Sequence, residues 1–458
     1  MNNLELPASW LETDLGAVAH VASGIGFPNE YQGHATGDIP FFKVGDISEA
    51  VLNQNGRLVN GKHYVTHDVA GHLRGKPLQP GTTVFAKIGE AIRLNRRAYV
   101  TTHCLVDNNV MAVKATLDES NRYIYYFLRT VQFADILRAT TVPSLRKGDV
   151  EGMQIPLAPL PEQKRIADKL DSVLARVDAC RNRLDHLPAL LKRFRQSILA
   201  AATSGRLTKD WLGTRSETKH SVPLQRTIQS IRTGPFGSTL HKADYVLNGT
   251  PIINPMHIVR GQISPSSGMT VDAKTAQRLV EYQLAEGDVV IGRRGEMGRC
   301  AVVTSKEVGW ICGTGSMVLK PSAKLDPTYL QLFLSSPDTV RSLEGESVGS
   351  TMVNLNQKIL LGLDIYYPDI SEQHEIVRRV DILFAFANHL EARLATARKQ
   401  VEQLTPALLA KAFRGELVPQ DPADEPAAEL LKRLAATRAA APPIKRGRKT
   451  APKTKSMG

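Results

Sequence analysis

From Ile166 the apolar positions run Ile166, Leu170, Val173, Val177, Cys180, Leu184, Leu187, Leu191, Phe194 and Ile198, in alternating steps of four and three. That rhythm holds one stripe on one helix face for four heptads, with Arg, Lys, Glu and Asp frequent between. A second stripe repeats the spacing: Ile376, Val380, Leu383, Ala387, Leu390, Leu394, Ala397, Val401, Leu404 and Leu408. Two long helices that pair as a coiled coil are predicted. Pro161-Glu162 after Leu160 marks one start, and Ser371 is expected to cap the other ahead of Glu372. Gly205 and Gly415 suit the helix ends. Pro188 and Pro406 fall inside the pattern, where a missing N–H and a ring clash are expected to kink or break each helix.

The stripes belong to an internal repeat. Leu145, Glu162-Gln163, Asp171, Gly205 and Leu207 recur 210 residues later as Leu355, Glu372-Gln373, Asp381, Gly415 and Leu417. Upstream the offset is 206: Gly81, Val84, Gly89 and Glu90 match Gly287, Val290, Gly295 and Glu296, and Met111–Lys114 matches Met317–Lys320. About four residues were therefore gained in one copy, expected between Leu334 and Met352. Ile39-Pro-Phe-Phe-Lys43 faces Thr250-Pro-Ile-Ile-Asn254. A duplication that merely enlarged the protein would also leave a repeat. Against that stands what was kept: the helical segments stay in register, while the stretches between them have diverged, as two different ligands would require.

Those divergent stretches read as mixed α/β (α+β) units. Gly81–Phe85 and Gly287–Ile291 are strand-like runs, and Tyr123–Leu128 and Tyr329–Leu334 are aromatic-rich helices. If the two seams pair within one chain, they do so antiparallel about a pseudo-twofold, with the two units at opposite ends. Pairing with a second copy of the chain is the alternative.

The formal charge of +13 and pI near 9.5 attract polyanions. Six cations among the last sixteen residues, Lys445, Arg446, Arg448, Lys449, Lys453 and Lys455, leave the body at +7. Four scattered cysteines, with no CxxC pair, argue against a zinc ribbon or a disulfide framework and fit a reducing compartment. With neither a signal sequence nor a long apolar run, a cytoplasmic location is expected.

Bases cluster at equivalent places in the two units: Lys87, Arg93, Asn95, Arg96 and Arg97 in the first, Arg293, Arg294 and Arg299 in the second. Arginine can fork onto guanine and asparagine or glutamine onto adenine, whereas lysine mainly holds phosphate. Ser144, Arg146 and Lys147, answered by Asn354, Asn356 and Gln357, and Lys43, answered by Asn254, complete the candidates for DNA contact. Taken singly, any of these charges could simply solvate a hairpin.

With these residues, and with the phrases Ile39-Pro-Phe-Phe-Lys-Val-Gly-Asp-Ile47, Leu160-Pro-Glu-Gln-Lys164 and Gly287-Asp-Val-Val-Ile-Gly-Arg-Arg-Gly-Glu-Met-Gly298, the chain to about Pro419 resembles the specificity subunits of type I restriction-modification systems. The resemblance implies a first target-recognition domain (1–155), a central spacer helix (156–208), a second recognition domain (209–365) and a C-terminal spacer helix (366–418); the basic tail (419–458) departs from the family and is expected, by composition, to be largely disordered. A helix from Ile166 to Ile198 would span about 48 Å, longer than the roughly 34 Å of one DNA turn. The implied ligand is double-stranded DNA with a split target sequence. The implied partners are two modification subunits using S-adenosylmethionine and two restriction subunits using ATP and Mg2+, with no cofactor and no catalytic residue in this chain. In agreement, it contains no GxxxxGK[ST] loop and no Asn-Pro-Pro-aromatic motif. A single-chain methyltransferase or nuclease and a scaffold without DNA remain the competing classes. The tail, with a helical run at Ala427–Arg438, either adds non-specific DNA affinity or only solubilises the chain end.

Overall fold

Both long helices form, as Leu160–Thr203 and Ile370–Ala412, in a computed structural model that describes residues 6–136, 143–213, 221–235, 239–345 and 355–440. Each ends before its glycine, which takes a left-handed conformation at φ +71° (Gly205) and +74° (Gly415). The wrapped-back hydrogen bonds follow, Leu207 N–H to Ala201 O at 3.1 Å and Glu416 N–H to Lys411 O at 2.9 Å. The start of the second helix differs from expectation. Its cap is Asp369, whose carboxylate accepts from Glu372 N–H at 2.9 Å, and Ser371 lies inside the first turn. Neither proline ends its helix. Pro188 and Pro406 both face solvent, so their rings stay out of the seam and each helix loses only one backbone hydrogen bond.

The chain divides into two units, residues 1–182 with 398–458, and residues 183–397. In the first, Ile166, Leu170 and Leu174 share a core with Leu409, Ala412 and Phe413. In the second, Ile198 and Ala202 share one with Ile376 and Val380. The start of one long helix thus packs on the end of the other, an antiparallel pairing within the chain. The seam is not uniformly dry, because its ends pack on the domain cores while its middle has only the partner helix. Cys180 is exposed, Leu174 takes the place expected of Val173, and Leu187, Phe386 and Leu404 are exposed at 38%, 54% and 43%.

The sheets of the two units repeat each other. In the first, the strand order is Ala19–Ser23, Val110–Ala115, Thr83–Ala86, Arg97–Val100 and Arg57–Leu58. In the second it is Ile228–Thr233, Ser316–Pro321, Val289–Gly292 and Cys300–Val302. A smaller sheet in each contains one parallel pair, Phe41 beside Leu105 and Ile252 beside Ile311. An aromatic helix, Asn121–Thr130 or Pro327–Leu334, covers the larger sheet. Its fully buried tyrosine bonds outward to the strand that precedes the long helix: Tyr123 to Pro156 O at 2.6 Å, Tyr329 to Tyr366 O at 2.7 Å. Burial of such a ring supplies a few kcal/mol (about 1.5–3), and the hydroxyl keeps a partner.

Beyond Pro419 the expected helical run at Ala427–Arg438 forms. Residues 427–440 form a helix whose Ala427, Leu430 and Leu434 are buried in the first unit's core. Residues 441–458, and part of the segment expected to hold the insertion, lie outside the described residues. Among the described residues no helix is long and apolar enough to cross a membrane.

Candidate nucleic-acid interface

Three chain segments meet at the same corner of each unit. The first strand of the larger sheet ends in a glycine, Gly24 or Gly234, whose N–H donates to Val110 O or Ser316 O at 3.0 and 3.1 Å. A Cβ on Gly24 would lie 2.0 Å from Asp107 O, and one on Gly234 would lie 2.0 Å from Gly313 O. Only glycine permits this approach. The second segment is the strand exit at Lys87 and Arg293, whose N–H groups donate to Asn109 O (2.9 Å) and Gly315 O (2.8 Å). The third, running back to the long helix, donates from Leu145 to Lys87 O and from Leu355 to Arg293 O, both at 2.9 Å. The frame is the same in both units, and the side chains it carries differ. Gly24 and Gly234 stand 210 residues apart, so the repeat itself held a signal for this corner that the motif search missed.

In the first unit the corner presents Lys87, Arg93, Arg96, Arg146 and Lys147, each exposed or half-buried. Arg93 is paired with Glu90 at 3.1 Å and Lys147 with Glu151 at 3.4 Å, contacts that solvent weakens. Ser144 bridges Ile88 through the backbone. Asn95 and Arg97 are committed to the interior instead. Asn95, at φ +55°, donates to Val131 O and Gln132 and accepts from Phe133 N–H. The Arg97 side chain is buried at 4% exposure, donates to Asn95 O and Val131 O, and stacks 4.0 Å over the Phe133 ring. Burial, with Arg129 nearby, lowers its pKa to about 9. Lys43 begins a helix and donates to Gln32 at 2.9 Å.

In the second unit Arg294 is exposed, and Arg293 is held by its own Nε, which donates to Leu355 O at 3.1 Å. Gln357 reaches Thr233 Oγ1 at 3.1 Å, which adds Thr233 to the corner. Three candidates have structural tasks. Asn356 caps the helix Gln357–Leu361 through Ile359 N–H, and Asn254 accepts from Gly315 N–H at 3.1 Å. Arg299 donates to Glu296 inside its own turn and to the distant Pro255 O. Asn354 lies outside the described residues.

The repeated Glu-Gln pair at each helix start has a different use. Gln163 and Gln373 donate to Ala158 O and Pro368 O, both at 2.8 Å, closing the first turn. The buried carboxylates hold the chain that leaves the opposite helix, Glu162 accepting from Gln420 (2.6 Å) and Glu372 from Thr208 (2.7 Å), and Glu162 also accepts from Trp10, ahead of the first strand, at 2.9 Å. Burial raises the Glu162 carboxyl above its ordinary range despite those hydrogen bonds. Within the second unit an open apolar groove of about 440 Å³ lies between the long helices, lined by Leu187, Leu190, Leu191, Phe194, Phe386 and Leu390.

The family model described as type I restriction modification DNA specificity domain matches residues 7–189 and again 236–399. The type I restriction enzyme EcoBI specificity subunit of Escherichia coli is 29% identical, covering 97% of this chain and 96% of its own. The EcoKI specificity subunit of Escherichia coli strain K12 is 31% identical over 69% of this chain and 71% of its own. The crystal structure of the HsdS subunit from Thermoanaerobacter tengcongensis shares the fold, with a TM-score of 0.59 and 21% identity over 91% of this chain and 99% of that one. Matched in both halves by one family model and along nearly its whole length by the EcoBI subunit, the chain belongs to the specificity subunits of type I restriction-modification systems, the non-catalytic, cofactor-free subunits that recognise the DNA target and assemble with modification and restriction subunits.

Proposed function

We propose that this chain reads a split duplex target through two recognition domains, residues 1–155 and 209–365, with helices 156–208 and 366–418 as the spacer between half-sites. The complex it enters holds two modification and two restriction subunits. The first half-site meets Lys87, Arg93, Arg96, Arg146 and Lys147; the second meets Arg293, Arg294 and Gln357. Lys43, Asn95, Arg97, Asn254, Arg299 and Asn356 act behind them as supports. The observation that carries the reading is the pair of identical backbone corners at Lys87–Leu145 and Arg293–Leu355 bearing unlike polar side chains. A fixed frame with exchanged readers is what two different base sequences require. The apolar groove lined by Leu190 and Phe386 is the surface for a modification subunit, since it exposes large side chains that water disfavours.

Replacing residues 220–365 by the equivalent domain of another specificity subunit tests the reading, with methylated sites mapped across a genome. One half of the methylated sequence should change and the other persist. A change in both halves, or in neither, would overturn it.

A further inference from the structure

The two corners share more than their hydrogen bonds. Lys87 and Arg293 stand 206 residues apart in the repeat and are both half-buried, and each carbonyl accepts from the returning segment, from Leu145 or Leu355, at 2.9 Å. The next residue is exposed in both units: Ile88, at 38%, and Arg294. After it comes a left-handed glycine, Gly89 at φ +80° and Gly295 at φ +82°, with open space where a Cβ would stand. Ile88 is pinned further by its backbone bridge to Ser144, and Gly89 N–H donates to Pro143 O at 2.8 Å. At one position of one shared backbone, the second unit therefore shows water an arginine and the first a branched aliphatic side chain. In a corner that otherwise presents cations, that side chain adds nothing to solubility, and branching at Cβ leaves it few rotamers.

We propose that Ile88 is a specificity-determining residue of the first recognition domain, taking the 5-methyl group of a thymine in the major groove at the place where the second domain offers Arg294, whose fork suits guanine. The inference rests on the reading of the two corners as DNA faces. Thymine alone among the four bases carries a methyl group on its major-groove edge, so an apolar side chain there has one partner that gains by leaving water with it. Lys87 and Lys147 draw the duplex in through its phosphates without regard to sequence. Ile88 brings no charge and acts only once the groove edge covers it. Its stiff side chain loses little freedom in doing so.

The test uses the full chain in complex with its modification subunits, on the duplex found by mapping methylated sites. Each thymine of both half-sites, on either strand, is replaced singly by deoxyuridine, which lacks only the 5-methyl group. One replacement, in the half-site that persists through the domain exchange above, should raise Kd about fourfold, the worth of one buried methyl group. In Ile88→Ala the same replacement should have no effect, because the two changes remove one contact. Leu94→Ala, at a 55% exposed position on the same loop but outside the shared frame, should leave the uracil effect intact. The log–log salt slope should be the same for the unaltered chain and Ile88→Ala, since no charge is changed, whereas a displaced backbone with lost phosphate contacts would lower it. No sensitive thymine, or one confined to the other half-site, overturns the proposal. So does a sensitivity that survives Ile88→Ala, one that Leu94→Ala also abolishes, or a salt slope that falls in Ile88→Ala. Equal binding of cognate and non-cognate duplexes by the unaltered complex would instead overturn the reading of the two domains.

Discussion

Leu355 donates its backbone N–H to the carbonyl of Arg293, and the Arg293 side chain returns a hydrogen bond from Nε to the carbonyl of Leu355. This reciprocal pair ties the strand exit to the segment entering the second long helix. It also separates two adjacent arginines, since Arg293 is half inside and its pKa is lowered by burial and by Arg294, whereas Arg294 projects into solvent.

Substituting the two arginines should therefore give different outcomes. Arg294→Ala should weaken cognate binding by about 1–3 kcal/mol while stability stays within roughly 0.5 kcal/mol. Arg293→Ala removes the bond to Leu355 as well and should lower stability by about 1 kcal/mol. Binding isotherms and thermal unfolding on the same samples decide; equal effects on both readouts would contradict the division of labour.

The glycine corner gives a test of fold without reference to DNA. At Gly234 a methyl group would meet backbone oxygens of Gly313 at 2.0 Å and Cys312 at 3.0 Å, neither of which can swing aside. Gly234→Ala should cost about 3 kcal/mol. Gly24→Ala should do the same to the first unit, where the obstacles are the carbonyls of Asp107 and Val106. Gly26→Ala, with open space around it, is the control. Thermal denaturation that fails to distinguish Gly24→Ala from Gly26→Ala would refute the close-approach argument.

What was legible in the sequence follows from periodicity. The two helices, their glycine ends and the repeated strands all declare themselves through spacing along the chain. Which polar side chain faces inward does not, because that depends on partners distant in sequence. Arg96 and Arg97 are neighbours in a basic cluster, yet the turn of Asn95 and the ring of Phe133, 36 residues on, draw Arg97 into the core and leave Arg96 outside. Asn254 and Asn356 look like base readers by residue type and are used as a turn support and a cap. The docking of Ala427–Ala440 was equally hidden, since three buried residues in an alanine-rich run form too short a stripe to stand out.

Buried Glu162 predicts a pH dependence with a definite sign. Its folded carboxyl titrates above the ordinary value of 4.5 because burial penalises the charge more than Trp10 and Gln420 relieve it. The folded protein then binds a proton more tightly than the unfolded chain, so this group's contribution is greatest below pH 4.5 and is lost as pH rises through the folded value. Glu162→Gln removes the titration and should flatten the fall of melting temperature with pH just above 4.5. Parallel curves for the two proteins would show that the carboxyl does not control this slope.

Assembly should depend on the exposed middle of the helix pair. Leu190 and Phe386 are 53% and 54% exposed, so carboxylates at both positions can reach water and leave the domain cores intact. In a complex where the groove is covered, the same carboxylates would be desolvated against apolar surface, and each such residue is expected to cost 2 kcal/mol or more (~2–4). The double variant Leu190→Asp, Phe386→Asp should therefore keep its melting temperature yet elute as free subunit when mixed with modification subunit at micromolar concentration. Co-elution equal to that of the unaltered chain would place the assembly surface elsewhere. Loss of the fold would instead show that the groove is structural, and Leu187→Ser, a milder change at a 38% exposed position, would then separate packing from docking.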